Sequence, residues 1–196
     1  RGIQRQRGKR QLIIERSIWN SNNPQSGPDL GLIEIPKDVT AWLDAKGMLF
    51  WNIDKNIDMG ADQFKSDLGN IANFGYIDEY TLTRIENPNK IFTLKHVLFP
   101  NSNTVGKVDE REGYDYFSIS IDYDKPNIPP QSFGGASGGG VWRIPINVNK
   151  TNNTMTCGNP FLLGMTFYET AIINNKRKLI SHGWKSIYIK AKELLA

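Results

Sequence analysis

Cysteine is nearly absent from this chain: Cys157 is the only one, so no disulfide can form within it. Small secreted proteins usually carry several, and a cytoplasmic, bacterial setting is therefore expected. Histidine is almost as scarce, with His96 and His182 alone. No apolar run approaches the roughly 18 residues that a membrane helix needs, and no membrane partner is expected. The N-terminus is charged rather than apolar, which excludes a signal peptide over these residues. No initiator Met is present, so a chain that starts at Arg1 reads as a piece of something longer. No internal repeat of fixed period is found.

Positive charge is present but uneven. Arg1, Arg5, Arg7, Lys9 and Arg10 crowd the first ten residues without an acid among them. With those five set aside, 19 basic residues face 20 acidic ones, so the body is nearly neutral and the basic character belongs to one end. Such an end can bind nucleic acid through phosphate contacts. No aromatic residue interleaves these charges as a stacking surface requires, so a solvated terminus is the reading and nucleic acid is not the expected partner.

The hydrophobic share of 39% in 196 residues is enough for one domain or two tightly packed halves. Most of the chain reads as short strands broken by turns. Leu12-Ile13-Ile14 and Leu30 to Ile35 are short apolar runs bounded by polar, Pro or Gly residues. Tyr116 to Tyr123 alternates as a half-buried strand and ends in a turn at Asp124-Lys125-Pro126. Val141 to Ile146 and Phe161 to Tyr168 are further strands, and Ile172 to Ile180 suggests a hairpin around Asn174-Asn175. Asp38 to Ala45 suits a short helix capped by Asp38 with Gly47 just past its end, and Ser186 to Leu195 suits a C-terminal helix with Ile187, Ala191, Leu194 and Leu195 near one face. Many strands and a terminal helix indicate an all-β fold, barrel or sandwich.

The densest glycine cluster is Gly134-Gly135-Ala136-Ser137-Gly138-Gly139-Gly140. A flexible linker is one reading of such composition, but Phe133 and Trp142 flank it and strands lie on both sides. A phosphate loop would end in Gly-Lys-Ser/Thr and open a helix, and neither feature is there. Gly135-x-Ser137-x-Gly139 also fits the nucleophile elbow of an α/β-hydrolase, with Glu169 and His182 following in that fold's order. That elbow turns into a helix, whereas Val141-Trp142-Arg143-Ile144-Pro145 is β-rich and interrupted by proline.

Gly-x-Ser-Gly-Gly between strands, followed by an apolar residue, resembles the trypsin/chymotrypsin superfamily of serine proteases. Acyl transfer needs a hydroxyl presented from a tight loop and backbone N–H groups aimed at the developing oxyanion. The resemblance implies that Ser137 is the nucleophile and that the amides of Gly135 and Ser137 form the oxyanion hole. Position 136, often Asp or Asn in the family, is Ala here, which argues against a zymogen-type lock that relies on an acidic residue there. Gly27-Pro28-Asp29-Leu30-Gly31-Leu32 looks like the family's aspartate segment, making Asp29 the candidate orienter of the histidine. Residues 71–76 look like the opening strand of the second barrel. Leu162-Leu163-Gly164-Met165-Thr166-Phe167-Tyr168 looks like the strand along the specificity pocket, and His182 to Tyr188 like the final strand leading into the terminal helix. The resemblance spans most of residues 27–196. It implies a chymotrypsin-like double β-barrel with an incomplete first barrel and a C-terminal helix, divided at 1–65 and 66–196.

The family's triad runs His, Asp, Ser along the chain. His96, on the polar side of an alternating stretch from Phe92 to Leu98, falls between Asp29 and Ser137, and His182 follows the serine. Neither fits as the base, and the resemblance places the missing histidine upstream of Arg1. The substrate-binding residues it implies are Gln131, Thr166, Phe167, Tyr168, Glu169 and His182, with Glu169 at the pocket mouth hinting at basic or small side chains. No metal and no cofactor is implied. The expected partners are a peptide or protein substrate and other domains or chains of a larger assembly. Two functions follow: a serine endopeptidase that works through an acyl-enzyme on Ser137 once a histidine is supplied, or a non-catalytic protease-like module that holds an extended peptide as an added strand.

Overall fold

The computed structural model describes residues 16–21, 28–65, 70–80, 84–87, 90–92, 97–100, 105–124 and 129–195. The chain divides into two compact units, Arg1–Asn52 and Ile53–Ala196. In the first, β1 (Arg16–Ser21) pairs antiparallel with β2 (Asp29–Glu34) in the register Ser21 to Asp29 and Arg16 to Glu34. The helix α1 follows at Lys37–Ala45. Its cap is Pro36 rather than Asp38: the Pro36 carbonyl accepts from the amides of Val39 and Thr40, both at 3.0 Å, and Asp38 falls inside the first turn. Proline suits that place because it fixes an extended entry without needing a donor. Gly47 ends the helix with a φ of 77°, its amide on the Asp44 carbonyl at 2.8 Å and the Met48 amide on that of Leu43 at 3.1 Å, a Schellman closure.

The second unit begins with a helix that sequence reading did not anticipate, α2 (Ile53–Lys65). Ile53, Ile57 and Phe64 recur at helical spacing, but Gly60 and four Asp or Asn residues obscure the pattern. The strands then follow in order: β3 (Asn70–Gly75), β4 (Arg84–Asn87), β5 (Lys90–Phe92), β6 (Val97–Pro100), β7 (Asp109–Arg111), β8 (Tyr114–Asp122), β9 (Gly140–Ile144), β10 (Ile146–Asn149), β11 (Thr154–Cys157), β12 (Phe161–Glu169) and β13 (Lys176–His182). Lys185–Lys190 is a π-helical stretch that runs into α3 (Ala191–Leu195).

Seven of these strands form one antiparallel sheet in the order β6-β3-β9-β12-β13-β8-β7, and β4–β5 and β10–β11 are separate hairpins. Within the sheet, β9, β12 and β13 meander and β8 returns to lie beside β13. That is a Greek key read from its C-terminal end. Among the described residues no ladder joins the end strands β6 and β7, so the sheet is not a closed barrel there. The molecule is mostly β with a short C-terminal helix, as composition and turn spacing indicated.

The core lies along the sheet and includes Ile71, Ile119, Val141, Leu163 and Leu179, together with Ile187 and Tyr188 of the C-terminal segment. β8 is more buried than its alternation suggested: Tyr114, Asp115, Tyr116 and Phe117 are consecutive buried residues. The reason is that the C-terminal segment is bonded to the start of this strand, with the amides of Lys185 and Ser186 donating to the Asp115 carboxylate at 3.0 and 2.7 Å. The Trp184 indole N–H donates to the Ile57 carbonyl at 2.8 Å and ties α2 to the same segment. The hairpin at Asn174-Asn175 formed as read: both residues have positive φ, 51° and 56°, and Ile173 and Lys176 exchange amide bonds. These are the features of a two-residue primed turn, which asparagine tolerates. Leu12-Ile13-Ile14 lies outside the described residues. Among the described residues, no helix is long and apolar enough to cross a membrane.

Candidate functional site

The glycine cluster is a structured turn between Gln131 and the first residue of β9, and no helix follows it. Two buried apolar side chains, Phe133 and Ala136, pin it to the core. The Ala136 amide donates to the Phe133 carbonyl and the Gly139 amide to the Ala136 carbonyl, both at 2.9 Å, so two tight turns follow one another. Gly135 has a φ of 81°, and a Cβ there would overlap the Tyr76 carbonyl oxygen. At Gly139 a Cβ would overlap the Phe74 carbonyl oxygen. Close passage of the 74–76 backbone therefore requires glycine at both positions.

Ser137 sits exposed at the crest of this turn, and its hydroxyl has no hydrogen-bond partner among the described residues. The neighbouring amides alternate. Those of Ala136, Gly138 and Gly139 are bonded, to Phe133, Thr166 and Ala136 respectively. Those of Gly135 and Ser137 donate to no acceptor among the described residues. Two undonated N–H groups flanking one hydroxyl are what a turn must keep available to bind an oxyanion.

Behind the turn, Thr166 of β12 holds it by two backbone bonds: the Gly138 amide donates to the Thr166 carbonyl at 2.8 Å and the Thr166 amide to the Gly139 carbonyl at 2.9 Å. The Thr166 hydroxyl belongs to a buried polar chain. Asn73 Nδ2 donates to it at 2.8 Å, and Ser181 Oγ lies 3.1 Å from it. All three residues are buried, and Asn73 Oδ1 has no partner among the described residues. Sequence reading missed Asn73 and Ser181 because a lone polar residue inside an apolar strand carries no spacing signal.

Ahead of the turn, Glu169 at the end of β12 accepts from Ser132 Oγ at 3.0 Å and from the Phe133 amide at 2.8 Å. Arg177 Nη1 donates to the same carboxylate at 2.5 Å and to the Gln131 carbonyl at 2.7 Å. The Glu169 charge is thus neutralised by Arg177, a residue hidden in the sequence within an exposed-looking Lys176-Arg177-Lys178 run. Tyr168 beside it is half-buried and Gln131 is exposed.

His182 is fully buried in an aromatic cluster: its ring stacks on Phe167 at 4.5 Å and lies 5.1 Å from Tyr116. Burial raises the Tyr116 phenol above its ordinary 10.0, against the lowering pull of the Arg111 guanidinium 4.3 Å above its ring. Thr166 and Glu169 are thus bonded to the serine-bearing segment and Gln131, at its start, to Arg177, whereas Phe167 and His182 lie in the core beside it. Asp29 is half-buried in β2 of the first unit, opposite Ser21. His96 lies outside the described residues. Among the described residues no group of three His, Cys, Asp or Glu is placed to hold a metal. No known protein family, curated protein or solved structure matches the chain.

Proposed function

We propose that the turn around Ser137 is the nucleophile loop of a trypsin-like serine endopeptidase. The observation that carries this is the alternation of amides: among the described residues, Gly135 and Ser137 keep their N–H groups undonated while Ala136, Gly138 and Gly139 are all bonded. In the reaction, Ser137 Oγ forms a bond to the peptide carbonyl carbon as its proton passes to a base. The carbonyl oxygen takes up negative charge beside the Gly135 and Ser137 amides. The C–N bond then breaks, the departing amine receives the proton, and water later hydrolyses the ester. In this reading Asp29 orients the base, a histidine that is neither His96 nor His182. The Greek-key order of β8, β13, β12 and β9 is the feature that favours a barrel of the chymotrypsin type. A single cysteine suits a cytoplasmic setting.

The absence of any hydrogen bond to the Ser137 hydroxyl among the described residues favours a second reading, a protease-like module that binds an extended peptide without cleaving it. One experiment separates the two. With the base histidine supplied, a fluorophosphonate probe should label the protein, and Ser137→Ala should abolish the labelling. Labelling that persists unchanged in Ser137→Ala ends the endopeptidase reading. Peptide binding with no labelling at all selects the module.

A further inference from the structure

The segment 131–139 contains no charged residue, yet it is tied to a charged pair at the β12–β13 hairpin. Glu169 and Arg177 meet at 2.5 Å with side chains only 29% and 11% exposed. Between them they bind three consecutive residues ahead of the serine turn: the Gln131 carbonyl, the Ser132 hydroxyl and the Phe133 amide. Two further bonds hold the same stretch, with the Ser132 amide on Glu79 Oε2 at 3.1 Å and the Asp78 amide on the Gly134 carbonyl at 2.9 Å. A partly buried ion pair contributes little net stability, because desolvation offsets the attraction, but it fixes geometry when its remaining donors and acceptors are used. Here both Glu169 carboxylate oxygens and Arg177 Nη1 are used on one short piece of chain, while Arg177 Nε has no partner among the described residues.

The bonds continue into the site. Phe133 donates its amide to Glu169 and accepts from the Ala136 amide through its carbonyl. Ala136 in turn accepts from Gly139. A line of hydrogen bonds thus runs from the Glu169 carboxylate through Phe133 and Ala136 to the far side of Ser137. We propose that Glu169 and Arg177 are positioning residues: their ion pair sets the Ser137 turn from outside the loop. The Glu169 carboxylate therefore serves the loop and is not a free charge for a basic substrate side chain. The functional part of this inference rests on the proposed role of Ser137, whereas the positioning part does not.

Amide exchange and probe labelling test the two parts separately, on the 196-residue protein carrying Glu169→Ala, Glu169→Gln, Arg177→Met or Arg177→Lys. Glu169→Ala and Arg177→Met should speed exchange of the Ala136, Gly138 and Gly139 amides by about tenfold or more, the loss expected for charge-assisted bonds. The Gly183 amide, bonded to the Asp115 carbonyl on another part of the sheet, should keep its wild-type rate. Glu169→Gln and Arg177→Lys, which keep an acceptor and a donor in place, should restore much of the protection. Acceleration confined to Phe133 overturns the inference, because it reports one lost bond and no change in the turn. So does equal acceleration at Gly183, which reports general unfolding. With the base histidine supplied, fluorophosphonate labelling should slow in the same rank order as exchange rises. If the wild-type protein does not label with the histidine supplied, the endopeptidase reading falls and the exchange rates alone decide the clamp.

Discussion

Gly138 and Thr166 are joined through the backbone: the Gly138 amide donates to the Thr166 carbonyl at 2.8 Å, and the Thr166 amide reaches back to Gly139 at 2.9 Å. The crest of the serine turn is therefore an extension of β12. Thr166 is itself held by Asn73 from β3 and Ser181 from β13, so three strands converge on one residue. Thr166→Val keeps the shape but leaves Asn73 Nδ2 and Ser181 Oγ short of a partner inside the core. A loss of about 1–3 kcal/mol is expected, the cost of burying polar groups that have lost their bonds. Urea unfolding measures it, and an unchanged midpoint would show that the buried polar chain carries no weight.

Two glycines in the same turn should respond differently to alanine. At Gly139 the added Cβ overlaps the Phe74 carbonyl and falls 2.7 Å from that of Ala136, so backbone must move. At Gly138 the Cβ enters open space, and only the φ of 79° opposes it. Gly138→Ala should therefore cost about 1–2 kcal/mol from the left-handed backbone alone. Gly139→Ala should add an overpacking penalty of about 1–3 kcal/mol and disturb the turn itself. Thermal unfolding of both variants checks the ranking, and equal costs would contradict the close passage of the 74–76 backbone.

The serine turn was legible because glycine spacing, a small polar residue and flanking β-branched or aromatic residues each constrain the backbone locally. The Asn174-Asn175 hairpin was legible for the same reason. What escaped was set by distant partners. Arg177 looks like one of three solvated basic residues until Glu169 is brought across from the paired strand. Asn73 looks like an interruption of an apolar strand until Thr166 lies beside it, 93 positions away. Helix α2 was missed because its polar residues mask a sparse apolar face, and Asp38 was taken for a cap where proline already fixes the entry.

Asp115 gathers the start of the C-terminal helical segment. Its Oδ1 accepts the Ser186 amide at 2.7 Å and lies 2.8 Å from Ser186 Oγ, and its Oδ2 accepts the Lys185 amide at 3.0 Å. These are first-turn amides that the helix cannot satisfy internally. Asp115→Ala removes every side-chain acceptor there and should cost about 2 kcal/mol, the upper end for a helix cap. Asp115→Asn, which retains one acceptor oxygen, should cost less. Equilibrium unfolding of the pair, followed by circular dichroism, tests this, and a neutral Asp115→Ala would rule out the capping role.

Alkaline pH should destabilise the fold through Tyr116. Burial beside Phe167 and His182 raises its phenol above 10.0, and the Arg111 guanidinium over the ring only partly opposes the shift. A raised value means that the folded state holds the phenolic proton more tightly than the unfolded chain does. The resulting stabilisation is constant below pH 10.0, where both states keep the proton. As pH rises from there, the unfolded chain releases its proton first and unfolding is favoured. Stability lost this way declines until the folded phenol also ionises. Urea midpoints measured between about pH 8 and 11 should fall at the alkaline end, and Tyr116→Phe should flatten that fall because it removes the titrating group while keeping the ring. If the slope is as steep in Tyr116→Phe as in the wild type, the alkaline loss belongs to other groups and the buried phenol is not its source.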